Sequence, residues 1–124
     1  MQQAGLGSIE LEQVNRVAVV ALRGEHDLLT ARLLEDALTT AGATSPVVVD
    51  LCDAAFIDSS TIGVLIAHSD PADSGLRWSR LALVMPPEGF VTHVLRLVAI
   101  DQRLPIFQQV SHAIAAVQMP AEAA

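Results

Sequence analysis

The sequence predicts an α/β domain: a mainly parallel sheet of about five strands, entered through an antiparallel hairpin and packed with about four helices. Three observations predict it. Short apolar runs of strand length alternate along the chain with stretches whose apolar residues recur at helical spacing. The first two such runs are separated only by the turn-prone pair Asn15-Arg16, which leaves no room for a helical crossover. At 124 residues the chain fits one domain, spanning 1–124, long enough to bury roughly two-thirds of the surface its unfolded form exposes. The ordered core is expected over about residues 8 to 118.

Ile9 and Leu11 alternate with Glu10 and Glu12, as in a half-exposed edge strand, whereas Val17-Ala-Val-Val-Ala-Leu22 is apolar on both faces, as in a buried central one. After Gly24-Glu-His-Asp27, the residues Leu33, Leu34, Ala37, Leu38 and Ala41 fall on one helical stripe, with Thr30 placed to cap the helix and Gly42 to close it. Ser45-Pro46 opens Val47-Val-Val-Asp-Leu51, long enough for a buried strand and too short for a helix. Ile62, Leu65 and Ile66 resume helical spacing after Asp58-Ser-Ser-Thr61, so a second helix starts at that polar cluster. Residues 70–75 have the composition of a surface loop, Pro71 limits the second helix, and Trp78 is placed to cover the sheet edge. Leu81-Ala-Leu-Val84 is the next strand. Pro86-Pro87 suits a helix N-terminus, and Phe90, Val91, Val94, Leu95 and Val98 make one apolar face beyond it. A turn, a short strand around Pro105 and a helix capped by Ser111 complete the pattern, and the tail from Pro120 is expected to fray.

Composition excludes several functions. Seven basic against fourteen acidic residues leave a net charge of −7, which repels a nucleic-acid backbone or an anionic lipid surface. No apolar stretch approaches the eighteen or so residues of a membrane span, so no membrane insertion is expected. The first residues lack the basic flank and apolar core of a signal peptide, and the expectation is a cytoplasmic protein. Cys52 stands alone, so no internal disulfide forms, and it reads as a small core residue after a buried strand.

The informative segment is Phe56-Ile-Asp-Ser-Ser-Thr-Ile-Gly-Val-Leu-Ile66. A strand running into Asp-Ser-Ser at a helix start sets hydroxyls beside unpaired backbone N–H groups and the positive end of the helix dipole, where an added phosphate is stabilised. Capping is the commoner use of the same residues. The four histidines share no metal-ligand spacing, with His68 and His93 off the apolar stripes, and no metal site is expected. No nucleophile elbow surrounds Ser59, which argues against a hydrolase triad.

Gly24-Glu-His-Asp27 with Thr30-Ala31, then Val47-Val-Val-Asp-Leu51, then Phe56-Ile-Asp-Ser-Ser-Thr-Ile-Gly63, resembles the STAS domain of bacterial anti-sigma factor antagonists over nearly the whole chain. The resemblance implies a STAS-like fold and a binding protein, not an enzyme. Its unphosphorylated form would bind an anti-sigma factor serine kinase and free a sigma factor. Phosphorylation would end the association and a serine phosphatase would restore it. Carried onto this chain, the acceptor is Ser59 and the partner-binding residues are Asp27, Asp58, Ser59, Ser60 and Thr61. No cofactor is implied, since the kinase brings ATP and magnesium. Two positions depart from the family pattern. Thr61 stands where glycine is usual, and its β-branched side chain is expected to limit a partner's approach. His26 replaces an aliphatic residue and is expected to be a solvated or hydrogen-bonded structural histidine, with a titratable ring facing the partner as the alternative. An alternative function is a STAS-like accessory subunit of a transporter, or a small-ligand carrier, that is not phosphorylated.

Overall fold

A computed structural model describes residues 7–69 and 81–118. The elements in order are β1 (Ser8–Val14), β2 (Val17–His26), α1 (Leu28–Gly42), β3 (Val47–Ile57), α2 (Ser59–Ser69), β4 (Leu81–Val84), α3 (Phe90–Leu97), a 3-10 turn (Ile100–Gln102), β5 (Ile106–Phe107) and α4 (Val110–Gln118). The sheet runs β1-β2-β3-β4-β5. Its first pair is antiparallel, joined at Asn15 and Arg16, whose positive φ values of 50° and 69° give the hairpin turn that matches strand twist. The remaining pairs are parallel, so β2, β3, β4 and β5 all end at the same edge.

Alternation along each strand divides the core in two. Ala18, Val20, Leu22, Val49, Leu51 and Leu83 pack against Leu34 and Leu38 of α1, Leu65 of α2, and Val91 and Leu95 of α3. Val17, Val19, Val48, Ala82 and Val84 face the other way, onto Ala113, Ile114 and Val117 of α4. Among the described residues three helices therefore cover one face, each beginning at the edge where the parallel strands end.

Several local expectations change. The cap of α1 is Asp27, not Thr30: the Asp27 carboxylate accepts from the N–H of Leu29 at 3.1 Å and of Thr30 at 3.3 Å, while the Asp27 N–H donates to Thr30 Oγ1 at 2.9 Å. Thr30 is the third residue of the helix and closes this capping box. Gly42 is the last residue of α1, and the C-cap is Ala43 in right-handed conformation. The prolines at 86 and 87 precede α3, which starts only after Gly89, at φ 127°. α4 begins at Val110, where the Ala113 N–H bonds the Gln109 carbonyl, so Ser111 lies inside the first turn. Leu33, Phe90 and Val98, expected on buried stripes, are exposed. Cys52 is exposed within β3, because α4 covers only the earlier part of that face, and its thiol is pushed up to about 11 by local burial and the neighbouring Asp50. The expectations for residues 70–75, for Trp78 and for the tail from Pro120 lie outside the described residues.

Candidate functional site

β3 carries Phe56-Ile57 into α2, and Ile57 is buried in the core, which anchors the residues that follow. The Asp58 N–H donates to the His26 carbonyl at 3.2 Å, tying the end of β3 to the end of β2. The Asp58 carbonyl accepts from Ile62 N at 3.1 Å, the first helical bond of α2. Asp58 is thus the N-cap of α2, beside Asp27, the N-cap of α1. Two helix starts and two carboxylates lie side by side at the sheet edge.

Asp58 Oδ1 accepts four hydrogen bonds: from Ser60 N at 3.1 Å, Ser60 Oγ at 2.6 Å, Thr61 N at 3.1 Å and Thr61 Oγ1 at 3.4 Å. The Ser60 hydroxyl chiefly, with the backbone N–H groups of Thr61 and Ser60, holds the carboxyl below its usual range against the opposing effect of burial.

The three hydroxyls at this helix start have different situations. Thr61 is fully buried, Ser60 is half-buried with its hydroxyl held by Asp58, and Ser59 is exposed. Among the described residues no group engages the Ser59 hydroxyl. The steric reading of Thr61 is therefore overturned: its methyl and hydroxyl point inward, where they support the Asp58 turn, and present no surface to an approaching partner. Asp27 is exposed, with its carboxylate committed to α1.

His26 is 1% exposed, and its Nε2 lies 3.0 Å from the Arg23 carbonyl, the geometry of a donated N–H. Burial lowers its pKa despite that bond and the nearby Asp27, and the enclosed ring is a structural element, not a group facing a partner. Gly7 packs on it: a Cβ there would collide with the Glu25 carbonyl and lie 2.7 Å from the ring. One interaction had no signal in the sequence. His68 is buried, not off the packed face, and its Nε2 lies 3.0 Å from Glu35 Oε2, linking α2 to α1 across 33 positions. A groove of about 400 Å³ between these helices is lined by Leu28, Arg32, Glu35, Ser60 and Val64 among others. Phe56, near the end of β3, and Phe90, at the start of α3, stack with ring centroids 5.5 Å apart and planes at 14°. Among the described residues no group of three or more His, Cys, Asp or Glu is placed to hold a metal ion, and no helix is long and apolar enough to cross a membrane.

A family model described as "Mlab, STAS domain" matches residues 9–108. The anti-sigma-F factor antagonist RsfB of Mycobacterium tuberculosis is 30% identical over 107 residues, covering 84% of each chain. The chain belongs to the STAS domain family of bacterial anti-sigma factor antagonists. The fold of this STAS domain is shared with solved members. An anti-sigma factor antagonist from Mycobacterium paratuberculosis superposes with a TM-score of 0.78 at 24% identity, covering 96% of this chain and 100% of that one. The antagonist SpoIIAA in its unphosphorylated form gives 0.73 at 21% identity, over 90% of this chain and 96% of that one. SpoIIAA of Bacillus in its phosphorylated form gives 0.60 at 17% identity, over 89% and 99%. Members of this group are regulatory proteins, not enzymes, and this STAS domain is one of them.

Proposed function

We propose that this STAS domain, when unphosphorylated, binds an anti-sigma factor that is itself a serine kinase and so releases a sigma factor in the cytoplasm. Phosphorylation of Ser59 ends the association and a serine phosphatase restores it. The observation that carries this reading is the contrast among neighbouring hydroxyls: Ser59 is exposed and unengaged, whereas Ser60 is bonded to Asp58 and Thr61 is buried. The existence of a phosphorylated form of the relative SpoIIAA agrees with it.

The electrostatics give the switch a direction. A phosphoserine carries about −1.5 to −2 charges. The N–H groups of Ser60 and Thr61 that would otherwise receive it already bond Asp58 Oδ1. The phosphate is left facing outward beside Asp58 and Asp27, where a partner that fits the neutral hydroxyl meets added negative charge and the cost of stripping its water. The test is incubation with each purified anti-sigma factor kinase of the source bacterium and ATP, followed by mapping of the phosphate by mass spectrometry. Labelling at Ser59, lost in Ser59→Ala while the fold is retained, is the expected result. Undiminished labelling of that variant at Ser60 or Thr61 refutes the choice of acceptor. The accessory-subunit alternative predicts no labelling by any of them.

A further inference from the structure

Large apolar side chains left in water mark interaction surfaces when they cluster. Leu28, Leu29 and Leu33, in the first turns of α1, are 58%, 69% and 55% exposed. The stacked pair Phe56 and Phe90 is 41% and 52% exposed. Leu29 and Leu33 are one helical turn apart on the outward side of α1, opposite the buried Leu34 and Leu38. Leu28 lines the groove between α1 and α2 together with Ser60 and Val64, and Phe56, with Phe90 stacked on it, lies three residues before Ser59 at the end of β3, so each cluster borders the start of α2. The acidic side chains of Glu25, Asp27, Asp58 and Glu88 belong to the same edge.

We infer that these two apolar clusters form a bipartite docking surface for the anti-sigma factor, which meets them with apolar side chains inside a basic rim. The inference rests on the function proposed above. A kinase that reaches the Ser59 hydroxyl has to cover the surface around it. A standard interface takes about 800 Å² from each partner, a disc about 16 Å in radius, whereas packed helices are spaced about 8–10 Å apart. A partner centred on Ser59 therefore covers Phe56, three residues away in the chain, with the Phe90 ring stacked on it, and reaches the start of α1 across the groove that Leu28 shares with Ser60. The acidic edge and the net charge of −7 favour a basic rim. Docking and phosphorylation thereby use separate side chains: the leucines and phenylalanines hold the partner, and Ser59 reports its modification.

The test is titration calorimetry of the unphosphorylated chain with each purified anti-sigma factor kinase of the source bacterium. The variants are Leu29→Gln with Leu33→Gln, and Phe90→Gln, with Leu11→Gln as control, since Leu11 is comparably exposed on the edge strand β1. Affinity falls at least tenfold for the first two, melting temperatures stay near wild type, and the control binds normally. The KM for phosphorylation of Ser59 rises in the same variants while kcat is retained. If glutamine unfolds α1, alanine at the same two positions removes most of the apolar surface and keeps the helix. Wild-type binding with all variants unaffected overturns the docking surface and leaves the proposed function standing. A wild-type chain that binds no such kinase and is not labelled overturns both. Self-association seen by sedimentation and abolished by the same variants assigns the surface to a second copy and overturns the inference.

Discussion

Replacing Asp58 by alanine removes the acceptor on which the start of α2 is built. An N-cap is worth about 1 kcal/mol, with a range of about 0.5–2. The half-buried Ser60 hydroxyl turns to water at little cost, whereas the fully buried Thr61 loses its acceptor and adds about 1 kcal/mol or more. The total is about 2–3 kcal/mol. A chain of this size then melts about 6–15 °C lower, and its urea midpoint falls by about 1 M. Part of the effect depends on pH. The folded Asp58 pKa lies below the unfolded value, so the contribution of the charged form is complete above the unfolded pKa of about 3.9 and is lost as pH falls through the folded one. The gap between wild type and Asp58→Ala is therefore widest near neutrality and narrows below about pH 4. Asp58→Asn keeps an acceptor oxygen without the charge, recovers most of the loss, and shows no such pH dependence. Urea melts of the three proteins at pH 7 and pH 3 provide the assay. An alanine variant within about 0.5 kcal/mol of wild type, or a gap equal at both pH values, refutes the role given to Oδ1.

Ser59→Asp places one permanent charge where the phosphate would go and is expected to weaken the anti-sigma partner without reproducing the full effect; equal or tighter affinity by calorimetry contradicts the electrostatic switch. Thr61→Val keeps the buried shape and removes the hydroxyl, so stability falls by about 0.5–1.5 kcal/mol in urea melts while partner affinity is unchanged; a large loss of affinity at constant stability gives Thr61 a contact the structure does not provide. Gly63 lies on the exposed side of α2, one turn beyond Ser59, and a Cβ there meets nothing within 4 Å. Gly63→Ala should therefore stabilise the chain by about 0.5–1 kcal/mol and weaken a partner that approaches the helix closely, and a variant that gains stability and binds normally removes the need for close approach.

What the sequence determined by itself is local. Val17-Ala-Val-Val-Ala-Leu22 and Val47-Val-Val-Asp-Leu51 announce buried strands because apolar residues on both faces need cover on both faces. Asp58-Ser-Ser-Thr61 announces a helix start because short polar side chains satisfy orphan N–H groups two or three residues away. The position of Ser59 followed from that chemistry, and the family resemblance assigned it a role. The tertiary structure decided which of these side chains water reaches. Thr61 and Ser59 are both hydroxyl residues two positions apart, yet only packing beneath α2 buries one and leaves the other free. Leu33 and Leu34 share apolar chemistry, but α1 rolls Leu34 onto the sheet and turns Leu33 outward. His68 meets Glu35 only because α1 and α2 lie side by side on the same face of the sheet. Cys52 is wet because α4 covers only the earlier part of its face. Periodicity fixes a side chain's direction relative to its own element, and only the neighbouring elements, brought together from distant sequence, fix whether that direction faces protein or solvent.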